Sequence, residues 1–195
     1  MLLKKHYDFD NMNYLLIITL GTIVLLVLVI ALMYNKLIKL RNHIQEAWSI
    51  IDVFLKKRHD LIPNLVDTVK GYAEHEKRTL EELTRFRSEA MQAKNLTGRI
   101  ESENNIGKGL MQIFAVVEKY PDLKANTNFL DLQRQLIGIE EELSMARRYY
   151  NGTVRVNNIY IERFPSNIIA GMFQFTKGEF YKANENEKIV PDISL

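Results

Sequence analysis

The residues best suited to proton transfer or metal binding are four histidines: His6, His43, His59 and His75. His75-Glu76 begins like the zinc-peptidase helix motif, in which a second histidine one turn later completes the ligand pair. Thr79 stands at that position. His59-Asp60 is an isolated pair. The chain has no cysteine, which excludes disulfides, thiolate ligands and a cysteine nucleophile. No nucleophile elbow or dinucleotide loop occurs, and Gly107-Lys108-Gly109 lacks the glycine spacing of a phosphate-cradling loop. Asn95-Leu96-Thr97 and Asn151-Gly152-Thr153 have the form of glycosylation sequons, triplets that arise often by chance. The expectation is a protein with no catalytic residue, no metal site and no cofactor.

A second set of polar residues sits where apolar ones belong. Arg58 continues the apolar stripe of one helix beyond Phe54, and Glu76 continues that of the next from Tyr72. Asn157 holds a core phase in a later helix, with Arg147 beside it. A buried polar group left unpaired costs about 1–3 kcal/mol. These four are therefore expected to form a structural polar network, with Arg58 paired to Glu76. A ligand or ion site and simple snorkelling of Arg58 to solvent are the alternatives. Glu140-Glu141-Glu142 reads as a solvated stretch.

Helices must position these groups, because glycine (9) and proline (4) are scarce. The first is a membrane span. Tyr14 to Tyr34 carries no charge over 21 residues, which as a helix covers roughly 30 Å, the thickness of a bilayer's hydrocarbon core. Tyr14 and Tyr34 stand where an aromatic belt would lie. A cleaved signal sequence would end in small residues, and Leu32-Met33-Tyr34-Asn35-Lys36 does not. Lys36, Lys39 and Arg41 on one flank outnumber Lys4 and Lys5 on the other. The positive-inside rule then favours a cytoplasmic C-terminal domain by three to two. The formal charge of +2 gives no nucleic-acid footprint.

Beyond the span, apolar spacing near 3.5 predicts an all-α domain, an antiparallel up-and-down four-helix bundle. Leu37, Leu40, Ile44, Ala47, Ile51 and Phe54 mark the first helix. Pro63 favours a hairpin into a second, which would use Leu65, Val69, Tyr72, Leu80, Leu83 and Phe86. The other reading of Pro63 is a kink within one helix of nearly 60 residues, about 90 Å long. Asn95–Gly98 reads as a stop. Ile106 to Tyr120 form the third helix. Phe129 to Ile161 form the fourth, with Asn128 as N-cap and Phe164-Pro165 as its end. The expected organisation is residues 1–13 outside the membrane, 14–34 across it, 35–163 as a cytoplasmic bundle and 164–195 as an apolar strip with a polar tail. The strip comprises Ile168, Ile169, Met172, Phe173, Phe175, Phe180 and Tyr181. Either it caps the bundle, or it contacts the membrane or a second subunit.

Longer motifs carry a resemblance. Leu40-Arg41-Asn42 through Ala47-Trp48-Ser49-Ile50-Ile51-Asp52-Val53, Lys57-Arg58-His59-Asp60-Leu61-Ile62-Pro63-Asn64-Leu65-Val66 and Thr68-Val69-Lys70-Gly71-Tyr72-Ala73-Glu74-His75-Glu76 resemble the LemA family of bacterial membrane proteins. Ala146-Arg147-Arg148-Tyr149-Tyr150-Asn151 and Phe164-Pro165-Ser166-Asn167-Ile168-Ile169-Ala170-Gly171-Met172-Phe173 do so too. Gln174 departs from the family by standing where a glycine is expected, and Phe86 by standing where a small residue is usual. The resemblance implies an N-terminal membrane helix, an N-terminus outside and a cytoplasmic helical domain at the bacterial inner membrane. It implies no enzymatic activity. Some relatives take part in forming membrane compartments, and others lie genetically beside membrane metallopeptidases. Three functions follow. The first is a membrane-anchored oligomeric scaffold that organises or remodels the membrane. The second is an adaptor for another membrane protein, such as a peptidase. An enzyme is the weakest. The expected partners are the lipid bilayer, further copies of the chain and another membrane protein.

Overall fold

A computed structural model describes residues 2–181, with side chains from Asn13 onward except that of Glu74. The expected polar tail from Lys182 lies outside the described residues. Every regular element among them is helical: α1 (Leu2–Lys70), α2 (Lys77–Gln92), α3 (Leu96–Val117), α4 (Pro121–Lys124), α5 (Thr127–Glu162) and α6 (Ser166–Met172). A 3-10 turn, Glu74–Glu76, precedes α2.

α1 corrects the hairpin expected at Pro63. It runs 69 residues with Pro63 in its interior. A proline there deprives the carbonyl four residues earlier, that of His59, of its helical donor. Arg87 Nε donates to that oxygen at 2.8 Å, so the helix continues with the orphan acceptor filled. The chain turns instead at Gly71–Ala73, where Tyr72 N and Ala73 N both donate to the Val69 carbonyl.

Two further boundaries differ from expectation. Asn95 does not stop a helix: its side chain accepts from Gly98 N at 2.7 Å and caps the start of α3. The cap of α5 is Asn126, which accepts from Phe129 N at 3.0 Å, and not Asn128. Asn126 also donates to the Tyr72 hydroxyl at 3.0 Å.

The chain divides into two compact units. One comprises Met1–Gln45 and Thr153–Gly178. In it, Ile169 and Ala170 of α6 are buried against Leu37, with Ile30, Met33, Tyr34 and Phe175 packed around them. α6 ends in two bonds of the left-handed cap motif, Gln174 N to the Gly171 carbonyl at 3.3 Å and Phe175 N to the Ala170 carbonyl at 2.9 Å. Gln174 has φ 57°, the backbone conformation that favours glycine. That supplies a physical reason for the family glycine expected there. Gly178 is held from both sides by Asn158, whose Nδ2 donates to its carbonyl at 3.0 Å and whose Oδ1 accepts from its N–H at 2.8 Å. A Cβ at Gly178 would sit 3.3 Å from Ile44 Cδ1.

The other unit comprises Glu46–Gly152 and Glu179–Leu195. Its core combines Ile62, Leu65 and Val69 of α1 with Leu80 and Leu83 of α2. Ile106, Leu110, Ile113 and Val117 of α3 and Phe129 and Leu136 of α5 complete it. Gly109 lets α3 approach α2 closely, since a Cβ there would lie 3.2 Å from Leu83 Cδ1.

Within α1 the uncharged run is uncovered. It is the one segment among the described residues long and apolar enough to cross a membrane, and none of its apolar window is buried in the protein. A core helix of a soluble domain would have that face covered. A run of exposed Leu, Ile and Val of this length suits hydrocarbon, not water.

Candidate functional site

The centre of the second unit is an ion-pair network that begins with Arg58. Its side chain is 1% exposed. Arg58 Nη2 donates to Glu103 Oε2 at 2.5 Å and to the Glu103 carbonyl at 3.1 Å, and Nη1 donates to Glu140 Oε2 at 2.7 Å. Glu140 accepts a second arginine at its other oxygen, from Arg147 Nη1 at 3.1 Å. The His59 imidazole Nε2 lies 3.0 Å from Glu103 Oε1. α1, α3 and α5 thus each contribute charge to one cluster, buried at Arg58 and Glu103 and reaching solvent at Glu140, whose side chain is 43% exposed.

Electrostatics follow from burial and pairing. Burial alone would raise the Glu103 carboxyl, but the His59 imidazole and the Arg58 guanidinium outweigh it and hold the group below its ordinary value. Asp52 goes the other way: burial raises it, only partly offset by Arg99, whose Nη2 lies 2.8 Å from Asp52 Oδ1. Beside Arg147 the network meets an aromatic cluster. The Arg147 guanidinium lies over the Tyr181 ring at 5.0 Å. Trp48 packs edge-on to Tyr150 at 5.5 Å and near Tyr181 at 6.3 Å. Asn151 fastens Tyr181 with two bonds, donating to its carbonyl at 2.9 Å and accepting from its N–H at 2.8 Å. The Tyr150 hydroxyl donates to the Glu179 carbonyl at 2.9 Å.

Of the four expected network residues, the structure brings Arg58 and Arg147 together through Glu140. Glu76 is elsewhere: it lies in the 3-10 turn after α1, because α1 carries the chain past Pro63 before it folds back. Arg58 is paired with Glu103 and Glu140 instead. Asn157 is buried and donates to Asn158 Oδ1 at 3.3 Å, in the first unit. Sequence reasoning passed over Glu103, although it falls on the Ile100–Ile106–Leu110 stripe, and it read His59 as half of an isolated pair and Glu140 as part of a solvated stretch. Those three carried no signal beyond phase, since a single acidic or histidine residue on a helix is ordinarily solvated.

The C-terminal strip divides by depth. Ile169 and Tyr181 are buried, and Phe175 is half-buried. Ile168, Met172, Phe173 and Phe180 are exposed. Phe173 and Phe175 lie against Tyr34 at 4.8 and 5.7 Å, and Arg41 stacks over Phe175 at 5.6 Å. Tyr14 is 65% exposed, while Tyr34 is half-buried.

No group of three or more His, Asp or Glu among the described residues could hold a metal ion. Open grooves among the described residues of the second unit include two lined by α1 and α2 side chains. One of about 830 Å³ includes Val66, Gly71, Leu80 and Thr84. The other, of about 360 Å³, is lined by charged groups that include Asp52, His59, Arg87 and Arg99.

An uncovered apolar helix joined to a helical domain held by buried ion pairs defines a membrane-associated all-α protein. The LemA family profile matches residues 47–195, and the chain belongs to the LemA family. Protein LemA of Metamycoplasma hominis is 28% identical over 161 residues, covering 82% of this chain and 74% of that protein. Magnetosome protein MamQ 2 of Paramagnetospirillum magneticum is 22% identical, and magnetosome protein MamQ of Magnetospirillum gryphiswaldense is 20% identical. Each alignment covers 92% of this chain and 76% of the relative.

Proposed function

We propose that this protein is a membrane-anchored, non-enzymatic oligomeric scaffold that organises or remodels the bacterial inner membrane. In this reading Tyr14–Tyr34 crosses the bilayer once, the N-terminus lies outside, and the domain that follows is a cytoplasmic up-and-down antiparallel bundle. The close approach of Gly109 on α3 to Leu83 and Phe86 on α2 fits helices that fold back on one another. The relatives named magnetosome proteins support a role at a membrane.

The observation that carries the oligomeric part is an exposed apolar face on α5. Met145 and Tyr149 are 49% and 50% exposed, and Val156 and Ile159 are each 54% exposed. Their spacings of four, seven and three residues place them on one side of a helix. Core residues Leu143, Ala146, Tyr150 and Val154 occupy the other side. Two apolar faces on one helix suit a helix with neighbours on both.

The test is the mass of full-length protein in lipid discs and mild detergents, by mass photometry. A discrete multimer is expected, shifting to smaller species in a Val156→Glu/Ile159→Glu variant whose melting curve is unchanged. A monomer under every condition removes the scaffold reading and leaves an adaptor for another membrane protein.

A further inference from the structure

We propose that α6 is a lipid-contacting foot whose outer face lies in the headgroup–acyl boundary of the bilayer. This rests on the reading of Tyr14–Tyr34 as the membrane span, and it assigns a second, separate lipid contact to the chain.

The inner side of α6 fixes its depth. Ile169 and Ala170 are buried against Leu37, with Ile30, Met33 and Tyr34 packed on the same cluster. Ile30, Met33 and Tyr34 are the last turns of the uncharged run, and Leu37 follows the first charge, Lys36. The platform under α6 therefore straddles the level at which the hydrocarbon ends. Ile30 to Leu37 covers about 10 Å of helix, comparable to the roughly 5–10 Å over which interfacial helices bury their apolar face.

The outer side is apolar at that same level. Ile168 and Met172 are one turn apart on α6 and 58% and 67% exposed, and Phe164 just before it is 74% exposed. A helix with one apolar face on its own protein ordinarily turns a polar face to water. α6 buries Ile169 and Ala170 and turns Ile168 and Met172 outward beside Asn167 and Gly171, so its large exposed groups are apolar. Lys36, Lys39 and Arg41 follow on the next turns of α1, where lipid phosphates would lie. A second copy of the chain fits this face less well. A stable protein contact needs of order 1,000 Å² of buried surface in total, more than two side chains on a seven-residue helix and Phe164 before it present.

The absence of cysteine makes a clean test possible. Nitroxide labels at Ile168→Cys and Met172→Cys are compared in full-length protein in phosphatidylglycerol/phosphatidylethanolamine discs. Val24→Cys serves as the hydrocarbon reference and Met111→Cys, on an exposed face of α3, as the aqueous one. Accessibility to oxygen and to a water-soluble nickel complex is measured by electron paramagnetic resonance. The oxygen-to-nickel ratio at 168 and 172 is expected to be several-fold above that at 111, and unchanged when the protein is diluted in lipid. Aqueous values at 168 and 172 with Val24→Cys in hydrocarbon overturn the proposal and spare the span. Aqueous values at all three sites overturn both. Protection that disappears on dilution assigns the face to a second copy and overturns the lipid contact.

Discussion

Arg58 is a full charge with 1% of its side chain exposed, and its stability rests on having two carboxylates within hydrogen-bond distance. Removing one partner of a buried pair costs about 3–5 kcal/mol, whereas replacing both by apolar groups of similar volume is often neutral. Arg58→Met is therefore expected to destabilise by about 3–5 kcal/mol. The double change with Glu103→Leu should cost clearly less than the sum of the two single changes. Strictly additive denaturant midpoints would show that Arg58 and Glu103 are not coupled. pH gives a second handle. The Glu103 carboxyl is lowered in the folded protein, so its contribution is present above the ordinary value of 4.5 and is lost as pH falls through the folded value. Asp52, raised by burial, opposes this: its contribution is present below 3.8 and is lost as pH rises through its folded value. The melting-temperature gap between the natural chain and a Glu103→Gln variant should therefore narrow below pH 4.5. A gap that stays constant down to pH about 2.5 contradicts a lowered Glu103.

At the scale of elements, the course of α1 depends on a side chain from α2. Arg87 fills the carbonyl that Pro63 leaves without a donor. Arg87→Leu should cost about 1–3 kcal/mol in the natural chain. It should cost measurably less in a Pro63→Ala background, where an N–H becomes available to the same oxygen. Equal losses in both backgrounds would separate Arg87 from the proline. This compensation explains why the expected hairpin does not form at Pro63. Proline at position 63 is visible in the sequence, but the donor that rescues it comes from 24 residues away. Helix existence was legible from the apolar period, as in α3 and α5, because period reports a helix's own face. The partners of polar groups were not. Glu76 follows the right phase, yet it is carried to a turn once α1 runs to Lys70. Glu103 lay on the stripe of α3, and only the approach of α1 and α5 distinguishes it from a solvated acid.

For the molecule as a whole, family membership, an all-helical fold and one long apolar N-terminal helix were readable from ordered motifs and an uncharged run. The division of α6 between Ile169 inside and Ile168 and Met172 outside was not, since it depends on which face α6 turns to Leu37, and neither was the burial of Tyr181, which depends on Trp48 and Arg147. The central claim is that copies meet through the outer face of α5. The most direct measurement is oxidative cross-linking in native membranes of a chain that has no cysteine of its own. A single Val156→Cys is compared with Met91→Cys, an exposed site at the end of α2. The account predicts a covalent dimer at position 156 that persists as expression is lowered, with little at position 91. Equal cross-linking at the two sites, or none at 156, contradicts it.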